Sequence, residues 1–201
     1  MIRIFVLNKK KIFYQSVVGF IFATAAMMII NLIIHKSDAL NFEMITSNLV
    51  ASCFIVCVLN FRTLIFEYIF SKKIETTFDR AAFKNFFLRN GFKPGVLINN
   101  SKWRFDHDVM KGKIGEYDVF VNLDRSNLNF VMFMFQVDLG TVEKNKLRYP
   151  IDKFNNESTR HGYIIKKFDI HVTYVSGEID HELNIFSDML SNELMPPRIT
   201  L

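Results

Sequence analysis

Residues 16–34 read SVVGFIFATAAMMIINLII and residues 44–61 read MITSNLVASCFIVCVLNF, 19 and 18 positions without a charged side chain. A helix rises about 1.5 Å per residue, so each run is long enough to cross a hydrocarbon layer of roughly 30 Å. Nine residues separate the two runs, and the pattern predicts a membrane hairpin with helices over about 14–35 and 44–66. The first run outlasts the short apolar core of a cleavable signal, so it is read as retained. Leu64, Ile65, Tyr68 and Ile69, set against Arg62, Glu67 and Lys72, continue the second helix as a stalk. Gly19, Ala23 and Ala26 allow close helix approach, and Asn31, Thr46, Ser47, Asn48, Ser52 and Asn60 are suited to hydrogen bonds between helices.

Beyond residue 73 the periodicity changes. Phe78, Ala82, Phe83, Phe86 and Phe87 recur at helical spacing, with Thr76 or Thr77 placed to cap the start and Gly91 to end the helix in a left-handed turn that folds Phe92 back. Three strands are expected next. The first covers 102–109, with Trp103, Phe105 and Val109. The second alternates Tyr117, Val119 and Val121 after turns at Gly112 and Gly115, and the third is the apolar run 128–137, reached through the turn DRSN at 124–127. Pro150, Ile151 and Phe154 predict a second helix that Gly162 ends; YIIKKFD and IHVTYVS predict two strands with almost no loop between them. A last helix runs from Glu178 to about Met195, capped by Ser176, with Ile179, Leu183, Phe186, Leu190 and Leu194 as its apolar stripe. The expected fold is α+β: an N-terminal transmembrane hairpin and stalk (1–73), then an α-β-β-β-α-β-β-α domain (74–201) built on an antiparallel sheet.

Charge sharpens the topology. The chain has 201 residues and a formal net charge of +5, but residues 1–73 hold 8 Lys/Arg against 3 Asp/Glu, while residues 74–201 hold 17 of each. The basic excess therefore flanks the hairpin instead of coating a folded domain, which argues against a nucleic-acid partner. Arg3, Lys9, Lys10 and Lys11 precede the first run and Arg62, Lys72 and Lys73 follow the second. The connection HKSDALNFE sets one Lys against Asp38 and Glu43. Positive residues stay inside, which puts both termini in the cytoplasm. Richness in Asn, Lys, Ile and Phe has a bacterial character, so the expected location is a bacterial inner membrane.

Candidate chemistry is sparse. Cys53 and Cys57, the only cysteines, sit one turn apart in an apolar helix without a neighbouring His or Asp and are read as packing residues. Asp106, His107 and Asp108 would alternate across a strand, Asp169 and His171 lack a third ligand, and Asp180, His181 and Glu182 begin a helix. Lys113, Glu116 and Asp118 are the residues a metal-dependent hydrolase would use, although they equally describe a polar strand edge. GKIG at 112–115 is too short to cradle phosphate, and no nucleophile elbow occurs. No catalytic residue, metal or cofactor is expected. In the apolar run, Phe130, Met132 and Met134 share one strand face and Val131, Phe133 and Phe135 the other, so one face is either covered or open to a partner.

The segment IDKFNNESTRHGYIIKKFDIHVTYVSG, through Asn155, Asn156, Arg160 and Gly162, resembles the YbjN family, whose fold is shared with type III secretion chaperones. The likeness covers about a quarter of the chain in sequence and about 125 residues in element order. The aromatic that accompanies the family's Asn pair is absent or displaced to Phe154, and the strands lack the usual acidic turn. What the resemblance implies is a non-enzymatic, chaperone-like binding module, with Asn155, Asn156 and Arg160 joining Phe130, Met132 and Met134 as candidate partner-binding residues. The expected partners are the lipid bilayer and a protein or a second copy of the chain. An immunity protein fits this class. The alternative is a defence effector whose cytosolic domain senses a ligand and whose hairpins oligomerise through Asn31, Asn48 and Asn60 to disrupt the membrane.

Overall fold

The structure, a computed structural model, describes residues 2–35, 42–98, 101–138, 157–158, 162–175, 177–192 and 197. The chain divides into two compact units, Met1–Lys72 with Ile98–His107, and Lys73–Leu97 with Asp108–Leu201.

The first unit is built on helices α1 (Ile2–His35) and α2 (Phe42–Phe78), the latter running on into the second unit. At 34 and 37 residues they are about 51 and 56 Å long. Both are long and apolar enough to cross a bilayer, with 18-residue windows of mean hydropathy 2.5 and 2.2. They run antiparallel and are tied by side-chain hydrogen bonds. Asn31 Nδ2 donates to Asn48 Oδ1 at 2.9 Å, Ser52 Oγ to Met27 Sδ at 3.5 Å, and Asn60 Nδ2 to Ser16 Oγ at 2.7 Å. A Cβ added at Gly19 would touch Val56 at 3.6 Å, so the small residue does mark a close approach. Cys53 and Cys57 are free thiols on the exposed surface of α2.

The second unit is an α+β domain whose described strands form one sheet in the order β1-β2-β3-β4-β6-β5. The strands are β1 (Lys93–Leu97), β2 (His107–Ile114), β3 (Tyr117–Leu123), β4 (Phe130–Gln136), β5 (Glu157–Ser158) and β6 (Tyr163–Asp169). The pairs β2-β3, β3-β4, β4-β6 and β6-β5 are all antiparallel. Helices α3 (Ala81–Arg89) and α4 (Glu178–Asn192) supply Phe83, Phe86, Phe87 and Ile179, Leu183, Phe186, Leu190 to the core. Edge-to-face rings connect them to the sheet, Phe86 to Phe133 at 5.5 Å and Phe186 to Phe135 at 5.0 Å, and within the sheet Phe133 meets Phe168 at 5.3 Å. This geometry places the positive ring edge against the negative ring face.

Several elements differ from the pattern-based expectation. Helix α2 continues through Thr76, Thr77 and Phe78, so neither threonine caps α3. The break comes at Asp79 and Arg80, where Arg80 turns extended and its guanidinium donates to the Ile170 carbonyl. Gly91 does end α3 at φ 64°, and Phe92 N–H bonds back to Phe87 O at 2.9 Å. Strand β1 lies over KPGVL, which the pattern did not mark, and Lys102–Phe105 is irregular instead of a strand. Gly112 is inside β2, paired with Val119, and only Gly115, at φ 56°, makes the turn. Residues 170–175 are a loop, not a strand: Asp169 Oδ1 accepts the His171 N–H and Tyr174 meets Phe168 edge-to-face at 5.5 Å. Glu157 and Ser158 pair with Ile165 and Ile164, so no helix runs unbroken from Pro150 to Gly162; the rest of that segment lies outside the described residues. The last helix is borne out over Glu178–Asn192, and Ser176 and Leu194 lie outside the description.

The β3–β4 loop is fixed by Asp124. Its Oδ2 meets Lys167 Nζ at 2.8 Å, and its Oδ1 accepts the Ser126 N–H and hydroxyl at 2.9 and 2.6 Å. Burial alone would raise this carboxyl, but the bonds from Lys167 and Ser126 outweigh it and hold Asp124 below its ordinary value. A depressed folded value means the stabilisation is complete at neutral pH and is lost as pH falls below about 4, through the folded value. Asp124→Asn is expected to cost about 1–3 kcal/mol at pH 7 and less at pH 3. Urea unfolding of the full chain at both pH values measures this; a loss that does not shrink with acid would contradict it.

Candidate functional site

Within the second unit, β4 sorts its side chains as alternation requires. Val131, Phe133 and Phe135 face the helices and are fully buried, while Met134 packs with Val109, Phe120 and Ile165 on the opposite face. Met132, Leu97 and Tyr163 rim that cluster, and Met132 and Phe130 are half-buried. The candidate partner residues therefore split: Met134 is closed into an apolar cluster, and Phe130 and Met132 keep accessible surface. Asn155, Asn156 and Arg160 lie outside the described residues.

Within the acidic clusters the structure gives three placements. Asp180 accepts from Arg89 and Asn90 at 2.5 and 2.6 Å, Glu182 meets Lys166 at 3.1 Å, and Lys113 stands opposite Asp118 in the β2-β3 register. Among the described residues, no three His, Cys, Asp or Glu side chains could hold one metal ion.

Among the described residues, a dense polar constellation lies in the first unit, where Ser101–His107 runs beside α1. Asn8, 1% exposed, grips the backbone of Asp106 from both sides. Its Oδ1 accepts the Asp106 N–H at 2.7 Å, and its Nδ2 donates to the Asp106 carbonyl at 3.2 Å and to Ile4 O at 3.1 Å. Lys11 Nζ bonds Asp106 Oδ1 at 2.5 Å and Arg104 O at 2.9 Å, and Gln15 Nε2 donates to Lys102 O at 3.1 Å. Asn8, Lys11 and Gln15 are spaced i, i+3, i+7, one face of a helix, which is why a single segment can meet all three. On the other side, His107 Nδ1 lies 3.5 Å from Glu67 Oε2 of α2, and Phe70 packs edge-on to its ring.

Asp106 and His107 are thus brought to the helices. A buried amide clamping a main chain, a lysine on a carboxylate and an imidazole beside a glutamate fix the position of this segment. Pattern reading missed this clasp. Its one signal was the polar stripe Asn8, Lys11, Gln15 just before the apolar run, visible only as charge flanking a span. Comparison with known protein families, characterised proteins and solved structures gives no match for the chain.

Proposed function

We propose that the chain is a two-span protein of a bacterial inner membrane, with both termini in the cytoplasm, that tethers a non-enzymatic, chaperone-like interaction module at the cytoplasmic face. The observation that carries the reading is the outward surface of α1 and α2. The apolar 18-residue windows are 0% and 6% buried within the protein, and Ile21, Phe22, Ile33, Val50 and Phe54 are each at least 60% exposed. Each large apolar side chain left in water forfeits about 1.5–3 kcal/mol, a cost that a bilayer removes. The flanking lysines then orient the hairpin.

The YbjN-like character of residues 151–177 adds the chaperone-like element of the proposal, and an immunity protein is one form it would take. The effector alternative draws no support from Asn31, Asn48 and Asn60, because all three hydrogen-bond within one hairpin.

Topology is tested with single cysteines in a Cys53→Ser, Cys57→Ser chain. Ser37→Cys should react with an impermeant maleimide in intact spheroplasts, and Ser126→Cys only after lysis. The reverse pattern would sink the topology. For the interaction, a photo-crosslinker at Met132 should give a discrete adduct in native membranes that the same group at Asp188, exposed on α4, does not. Equal adducts from both positions, or none, would refute the module.

A further inference from the structure

Where the apolar run of α1 begins, Lys10, Lys11, Phe13, Tyr14, Val17 and Lys102 line a groove of about 380 Å³. All six belong to the first unit. Lys11 is committed to Asp106 and the Arg104 carbonyl, which leaves Lys10 and Lys102 as the groove's charge. Lys102 Nζ stands 4.9 Å above the Tyr14 ring, and Tyr14 meets Trp103 edge-to-face at 5.5 Å. Phe13, Val17 and Trp103 are exposed beside these ammonium groups, and none of the described residues lining the groove is acidic. Cations above, aromatics at the boundary and apolar surface below match the cytoplasmic leaflet, where head groups, interface and acyl chains succeed one another over a few ångströms.

We infer that this groove binds the head group of an anionic phospholipid, with Lys10 and Lys102 on the phosphate and Phe13 and Val17 along the upper acyl chain. The inference rests on the membrane reading above and adds a specific lipid site to it. The occupant follows from charge complementarity joined to apolar lining. A free phosphate would use the lysines and leave Phe13 and Val17 without a role. The clasp is what places Lys102: its carbonyl is held by Gln15, and Asp106 four residues on is held by Asn8. The site thus exists only with both chain segments present.

Trp103 is the sole tryptophan, so its fluorescence reports the site without a label. The full chain is placed in phosphatidylcholine nanodiscs, and brominated phosphatidylglycerol or brominated phosphatidylcholine is added as quencher. Half-maximal quenching is expected at roughly tenfold less phosphatidylglycerol than phosphatidylcholine, as two lysines near a membrane surface allow. The Lys10→Gln, Lys102→Gln double variant should lose most of that preference. Arg3→Gln with Lys9→Gln, an equal change in charge outside the groove, should keep it. Equal loss in both double variants would mean bulk attraction and overturn the site, as would equal quenching by the two lipids in the wild type. Reversal of the phosphatidylglycerol preference by inorganic phosphate at matched ionic strength would replace the lipid with a free anion. Resistance of the same protein to alkaline extraction is scored in parallel. Extraction from the bilayer would fail the membrane reading and the site together, whereas retention without a lipid preference fails the site alone.

Discussion

Replacing Phe133 with Ala is expected to destabilise the sheet domain by about 3–5 kcal/mol, the range seen when a large buried ring is removed. Phe133 is fully buried at the middle of β4, a strand paired with β3 on one side and β6 on the other. Its ring touches Phe86 of α3 and Phe168 of β6, so one side chain joins a helix to two strands. Little can move in to fill the space, because the neighbouring positions Val131 and Phe135 are themselves fully buried and fixed by the ladder. Phe133→Leu keeps most of the volume and should cost about 1–1.5 kcal/mol. Hydrogen exchange of β3 and β4 amides in the full chain measures both, and an Ala variant no worse than Leu would contradict the packing account.

Gly112→Val is the second large effect. A glycine inside a strand ordinarily weakens it, and valine is a strong strand former, so propensity alone predicts a gain. The structure predicts the opposite. A Cβ at this position would lie 2.6 Å from two atoms of the Phe92 ring, too close for any real contact. That ring is buried and held by Phe86 and Phe87 at 5.3 and 5.6 Å, so it has no free direction to swing. A loss of about 3 kcal/mol, at the upper end for overpacking, is expected. Adding Phe92→Leu should recover part of it, since a smaller side chain vacates the position. A stabilised Gly112→Val chain in thermal unfolding would show that the backbone relaxes more easily than the ring contacts indicate.

These two positions also mark the limits of what the amino-acid pattern reveals. Phe133 was readable: strict alternation from Phe130 to Val137 describes a buried strand, and the stripe Ile179, Leu183, Phe186, Leu190 describes a helix against it. Gly112 was not, because two glycines three positions apart, Gly112 and Gly115, both read as turns unless Phe92, twenty positions away from the first, is known to lie over it. Residues 170–175 alternate as well as any strand, yet the chain bends at Asp169 to Val172, and the ladder positions on both sides of β6 are taken by β4 and β5. Alternation states which faces are apolar; it does not supply a free edge. The same holds for the candidate site. Asp106 and His107 stood out by chemistry, but their partners Asn8, Lys11 and Glu67 are 95 or more and 40 residues distant, and no local pattern links them.

The clasp has a consequence for how this protein can be taken apart. Residues 98–106, between β1 and β2 in sequence, and His107, the first residue of β2, group with the helices. Cutting after Lys72 would leave them stranded. Asp106 would lose the amide that grips both sides of its peptide, and the carbonyls of Lys102 and Arg104 would lose their side-chain donors. Aggregation of such a fragment would report on an orphaned insert and not on the sheet. A clean dissection needs an excision as well as a cut, with residues 98–106 removed and the end of β1 rejoined to β2 by a short turn.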